Sequence, residues 1–183
     1  MIKRSAITGL RTHIHNFARD EGGSASVEFI LVMPIYITIM VMGVELGLIT
    51  LRHTLLERGL DIAVREVRLG TGTAPQHDDI KDMICANSLM LLDCQNKLQL
   101  EMRSADIRSF ASLDTSADCT DSAEPTKPVR EWTPGLQNEL MLLRACLKYE
   151  PIFPDAFLGS ALDTDANGEA SVIVTSAFVQ EPL

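Results

Sequence analysis

The sequence predicts an α+β protein in which one long N-terminal helix, transmembrane and then amphipathic, packs on a small antiparallel β-sheet braced by disulfides. Three observations predict it. An apolar run extends from Phe29 to Leu51, and at about 1.5 Å per residue a helix of that length crosses a hydrocarbon core of about 30 Å. Past Leu51, apolar residues recur at 55, 56, 60, 63, 64 and 67, the spacing of a half-buried helix face. Beyond that helix, three segments alternate or run apolar in the manner of strands, and the four cysteines all lie in this later part.

Residues 1–23 form a polar leader that carries Lys3, Arg4, Arg11 and Arg19 against Asp20 and Glu21. The formal net charge of the chain is −9, so this small positive leader leaves the remainder more acidic still. Basic residues ahead of a span favour a cytoplasmic N-terminus, which places the acidic body outside. An acidic body repels a phosphate backbone, and nucleic acid is excluded as a partner on that ground. A secretory signal peptide would have a shorter apolar core followed by a small-residue cleavage site. This apolar run is too long for that and is expected to stay with the protein.

Two residues inside the run bear on its role. Pro34 removes a helical N–H, a loss that membrane helices tolerate. Glu45 lies towards the outer end, where it snorkels to water, pairs with a partner or faces a helix bundle. Around it, Gly43 and Gly47 make a G-x-x-x-G spacing, which either lets a second helix approach closely or is a chance match of the kind common in apolar segments. The helix continues through Asp61 and Arg65, an i, i+4 pair, to a stop at Gly70 and Gly72 before Pro75. Residues 24–70 are thus expected to form the transmembrane and extended helix, and 71–183 an outer α+β domain.

In that domain, Asp78 to Leu92 reads as a short helix with apolar residues at 80, 83, 84 and 91. Lys97 to Arg103, Glu139 to Tyr149 and Ala170 to Val179 read as strands. A polar stretch from Asp114 to Gly135 is long for a loop in a compact domain. Cys85, Cys94, Cys119 and Cys146 form no C-x-x-C and have no histidine near them in sequence, so zinc fits poorly. Outside the cytoplasm an even count points to two disulfides, with three connectivities open. Proximity in sequence favours Cys85 with Cys94 and Cys119 with Cys146.

Asp163, Asp165, Asn167 and Gly168 begin like a calcium loop, but the twelfth position is Val174 rather than a bidentate glutamate. Asp, Asn and Gly are equally the residues of a turn between strands, which is the preferred reading. The histidines at 13, 15, 53 and 77 join no catalytic pattern. No enzyme activity and no cofactor are expected.

The most informative stretch lies before the apolar run. Gly23 is followed by the small residues Ser24, Ala25 and Ser26, with Glu28 at the fifth position after Gly23 and Phe29 at the sixth. This arrangement resembles a type IV prepilin processing site, cut between Gly23 and Ser24. The resemblance implies that Glu28 pairs across subunits with the new ammonium at Ser24, since an unpaired carboxylate in a membrane is expensive.

Glu28, Phe29, Pro34, Glu45, Arg65 and Gly70 together make the chain similar to the TadE-like minor pseudopilins of tight-adherence (Tad/Flp) type IV pilus systems. The later LLRACLKYEPIFP and SAFVQEPL stretches are similar too, while the last residues and the insert from Asp114 to Glu131 depart from the pattern. The resemblance implies a pseudopilin-like fold and a part in initiation, assembly or the tip of an adherence pilus. The implied partners are the prepilin peptidase, a companion minor pseudopilin, the inner-membrane assembly platform and the major Flp pilin. It places the chain in a bacterial inner membrane with its domain in the periplasm, or in the extracellular pilus. Two other readings are an uncleaved single-span periplasmic adapter or sensor, and an anchored, calcium-assisted enzyme.

Overall fold

The structure is a computed structural model that describes residues 24–69, 75–88, 91–106, 119, 132–133 and 135–181. The leader with Gly23, the expected stop at Gly70 and nearly all of the 114–135 loop lie outside the described residues. The chain divides into two units, residues 1–41 and residues 42–183.

Helix α1, Ser24–Leu69, contains Pro34. Its described residues in the first unit are almost all exposed, among them Phe29, Ile30, Leu31, Ile35 and Tyr36. A largely apolar helical surface left uncovered is what lipid requires and what water penalises. The Thr38 hydroxyl donates to the carbonyl of Pro34 at 2.8 Å, keeping its polar group within the helix. α1 is long and apolar enough to cross a membrane once.

In the second unit, α1 turns amphipathic as predicted. Leu56, Leu60, Ala63, Val64 and Val67 are buried, and they meet the inward face of a three-stranded antiparallel sheet. The strands are β1, Leu98–Ser104; β2, Leu140–Tyr149; and β3, Ala170–Val179, in the order β1-β2-β3. Each agrees with its sequence reading to within one residue at either end. β2 is central, with Leu98 opposite Leu147 on one side and Val174 opposite Ala145 on the other. Alternation sends Leu100, Met102, Met141, Leu143, Leu147, Val172 and Phe178 into the core. The opposite face holds the pairs Arg144–Glu101 at 3.3 Å and Lys148–Asp165 at 2.8 Å.

The expected helix from Asp78 to Leu92 is shorter. Helix α2 spans His77–Asn87, and a second short helix, α3, covers Cys94–Lys97. Ser88 ends α2: its N–H donates to the Cys85 carbonyl at 3.3 Å, while its buried hydroxyl donates to Leu55 O on α1 at 3.0 Å. Asp93, at φ 54°, then turns the chain back so that Cys94 meets Cys85, with Cα atoms 5.7 Å apart. Leu91 is buried without being helical, which is why its spacing reads as one more helical position.

Both disulfides join the cysteines paired by sequence proximity, Cys85–Cys94 and Cys119–Cys146. Cys146 sits between the inward-facing Ala145 and Leu147, so it projects from the other face of β2 and fastens Cys119 there. By chain entropy, closing loops of 9 and 27 residues contributes about 2.5 and 3.5 kcal/mol.

Candidate functional site

The buried side of α1 within the second unit does not begin at the amphipathic stretch. It begins at Glu45, whose surface is wholly buried, and continues through Ile49, Arg52, Leu56, Leu60, Ala63 and Val67. The steps of three and four residues keep these side chains on one face. A carboxyl group therefore heads a stripe that is otherwise mostly apolar.

Its partner is the segment leaving β2. After Tyr149, the chain passes Glu150 and the buried Pro151 and presents two successive backbone N–H groups. Ile152 N donates to Glu45 Oε2 at 3.2 Å and lies 3.4 Å from Oε1; Phe153 N donates to Oε2 at 3.2 Å. Loops carry N–H groups that no strand or helix satisfies, and a carboxyl oxygen pair is a suitable acceptor for two of them. The contact spans 107 residues of sequence and ties the segment after β2 to α1.

Two helical turns further on, the Arg52 guanidinium lies over the Tyr149 ring, 4.5 Å from its centroid. Burial pushes the Tyr149 hydroxyl above its ordinary pKa, and Glu45 adds to that rise while Arg52 opposes it. Arg52 Nη1 is buried with no hydrogen-bond partner, so the ring face is the favourable contact for this cation.

The segment beyond Phe153 is itself tightly folded. Ala156 N donates to Phe153 O at 3.0 Å, and Ser160 N to Ala156 O at 2.8 Å. Gly159 approaches the Phe153 carbonyl so closely that a Cβ there would collide with backbone. At the far end of α1, Gln180 Nε2 donates to Val67 O at 3.2 Å, and Arg68 pairs with Glu181 at 2.8 Å. Gly59 brings α1 against α2, where a Cβ would lie 2.9 Å from Ile84 O.

The sequence-predicted residues separate into groups. Glu28, Phe29 and Pro34 are exposed on α1, whereas Gly23 lies outside the described residues. Gly43 and Gly47 have nothing within 4 Å of a Cβ built at either, so their spacing serves no contact inside the second unit. Glu45 neither snorkels nor waits for another helix; its chain's own loop takes it up. The signal that could have found this is its phase, since Glu45 lies 11 and 18 residues before Leu56 and Ala63 on one helical face. The receiving amides have no such signal, because any loop residue other than proline has an N–H.

Asp165 is committed within a turn. Its Oδ1 accepts from Asn167 N at 2.9 Å and Glu169 N at 3.0 Å, and Oδ2 binds Lys148 Nζ at 2.8 Å. Gly168 takes the left-handed φ of 78° that the turn requires. The Lys148 hydrogen bond foremost, joined by the two turn amides, holds the Asp165 carboxyl below its ordinary pKa against the opposing effect of burial. Among the described residues no group of three His, Cys, Asp or Glu side chains is placed to hold a metal ion.

Neither curated proteins nor solved structures give a match to the chain. A family model does match, that of the TadE-like protein family, over residues 23–65; the matched segment runs from the glycine before α1 through Glu28, Pro34 and Glu45 into the amphipathic stretch, and over that segment the chain is similar to the family.

Proposed function

We propose that this chain is a minor pseudopilin of a tight-adherence pilus, processed by prepilin peptidase between Gly23 and Ser24 and retained by α1 in the inner membrane before assembly. The observation that carries the reading is the different use of the two glutamates of the TadE-like segment. Glu45 is consumed by the chain's own outer domain, whereas Glu28 is left exposed on an apolar, uncovered helix. A carboxylate in that position needs a cation in lipid, and the ammonium released at Ser24 of a neighbouring subunit is a suitable one.

On this reading the leader stays cytoplasmic and the domain faces the periplasm, where its two disulfides persist. The domain contributes no catalysis. Its partners are the peptidase, a companion minor pseudopilin, the assembly platform and the major pilin. N-terminal sequencing of the membrane-extracted protein from cells with and without the peptidase tests the reading. Ser24 as the first residue only in peptidase-positive cells supports it. Retention of Met1 in both would leave an uncleaved single-span anchor as the better description.

A further inference from the structure

The loop clasped by Glu45 carries large apolar side chains that no part of the described structure covers. Ile152 is 52% exposed and Phe157 78%, with Phe153 between them at 36%. Leu92, 88% exposed, lines the same cavity of about 380 Å³ as Ile152. Four such residues on adjoining loops are costly to leave in water.

Their level along α1 is set by the clasp. About 20 residues suffice to cross a bilayer core, and counted from Phe29 they end at Leu48, one turn past Glu45. Glu45 and Leu51, the end of the apolar run, are separated by about 9 Å along the helix. The amides of Ile152 and Phe153 are hydrogen-bonded to Glu45, so the loop is held at the outer boundary of the hydrocarbon. Beside Glu45 on α1, Val44 and Leu46 are themselves half exposed, so apolar helix surface is uncovered at the level of the clasp.

Polar groups fit the same level. Arg52, the first residue past the apolar run, lines the cavity with Leu92 and Ile152. Asp155, exposed between Phe153 and Phe157, limits the loop to a shallow position. The internal bonds of 153–160 and the close approach at Gly159 hold these side chains out without a folding cost on insertion.

We propose that the Pro151–Phe157 loop and Leu92 form a lipid-contacting face, seated about 5–10 Å into the headgroup and acyl boundary of the outer leaflet. The domain then does not hang from α1 by a tether but rests on the membrane through this face. The proposal rests on the reading of α1 as a span and is independent of peptidase processing.

The test uses the full chain, reconstituted in phosphatidylethanolamine–phosphatidylglycerol vesicles, with three single substitutions: F157W, I35W within the apolar run, and L136W. Leu136 is 74% exposed and lies just before β2, whose start at Leu140 is about 30 Å along the strand from Tyr149. The constant signal of Trp132, the one native tryptophan, is subtracted. With brominated lipids, F157W is expected to show a blue-shifted spectrum and to lose most of its emission, strongest with bromine near the headgroup. I35W is quenched best by bromine deep in the chains, and L136W keeps its emission.

Quenching at 35 with none at 157 overturns the lipid-facing loop alone. A blue shift at 157 without lipid quenching also overturns it, because protein rather than lipid then covers the loop. Absence of quenching at both positions overturns the spanning reading and this proposal with it.

Discussion

Glu45 is the residue whose sequence position and structural use differ most. Its carboxyl group is the acceptor for two successive loop amides, so truncation leaves both donors without it in a part-buried setting. An unsatisfied buried donor costs about 1–3 kcal/mol, and two share one acceptor here. E45A is therefore expected to lower the stability of the outer domain by about 2 kcal/mol in thermal melts of the detergent-solubilised chain. E45Q keeps a carbonyl oxygen and should recover part of that loss; equal melts for both variants would sink the acceptor role. Asp165 makes a second residue-scale case, with a pH sign. Its carboxyl is depressed below the ordinary value by Lys148 and the turn amides. The stabilisation it provides is complete above about pH 4 and is lost as pH falls through the depressed value. D165N should flatten the acid limb of the stability curve while leaving Gly168 and its turn in place, as read by melts between neutral and acid pH.

At the scale of elements, the legible and the illegible divide by whether a pattern or a meeting decides the structure. β3 is readable to the residue because Ala170–Val179 alternates, with one face buried. The lower half of α1 is readable because Leu56, Leu60, Ala63 and Val67 recur with the helix. The end of α2 is not, since Ser88 stops it by reaching Leu55 O on another helix and Leu91 enters the core from a non-helical segment. The Glu45 clasp is illegible for the same reason, as its donors are backbone groups 107 and 108 residues away. Gly59 shows how such a meeting outweighs local preference. Alanine in a helix is favoured over glycine by about 1 kcal/mol, but a Cβ at 59 would lie 2.9 Å from Ile84 O and closer still to Ser88 Oγ. Backbone cannot yield there as a flexible side chain can, and overpacking costs about 1–3 kcal/mol. G59A is expected to destabilise the domain despite its better helix propensity. An unchanged or raised melting temperature would show that α1 and α2 can part without cost.

For the whole molecule, the two glutamates of α1 give a dissociable pair of phenotypes. Glu28 is exposed in the first unit, where no described side chain covers it, so its loss takes no packing or hydrogen bond from the outer domain. A surface change of that kind stays within about 0.5 kcal/mol. Glu45, by contrast, belongs to the second unit and is wholly enclosed by it. If the first glutamate serves assembly and the second serves the fold, E28Q leaves the thermal melt of the solubilised chain at the wild-type temperature but lowers its recovery with sheared pili or with a companion subunit. E45A does the reverse in order: the melt falls first, and assembly declines only with the amount of folded protein. Measuring melting temperature and pilus recovery on the same preparations separates the two roles. A parallel loss of both readouts in E28Q would mean that the exposed carboxylate also supports the fold, and the division of labour between the glutamates would be wrong.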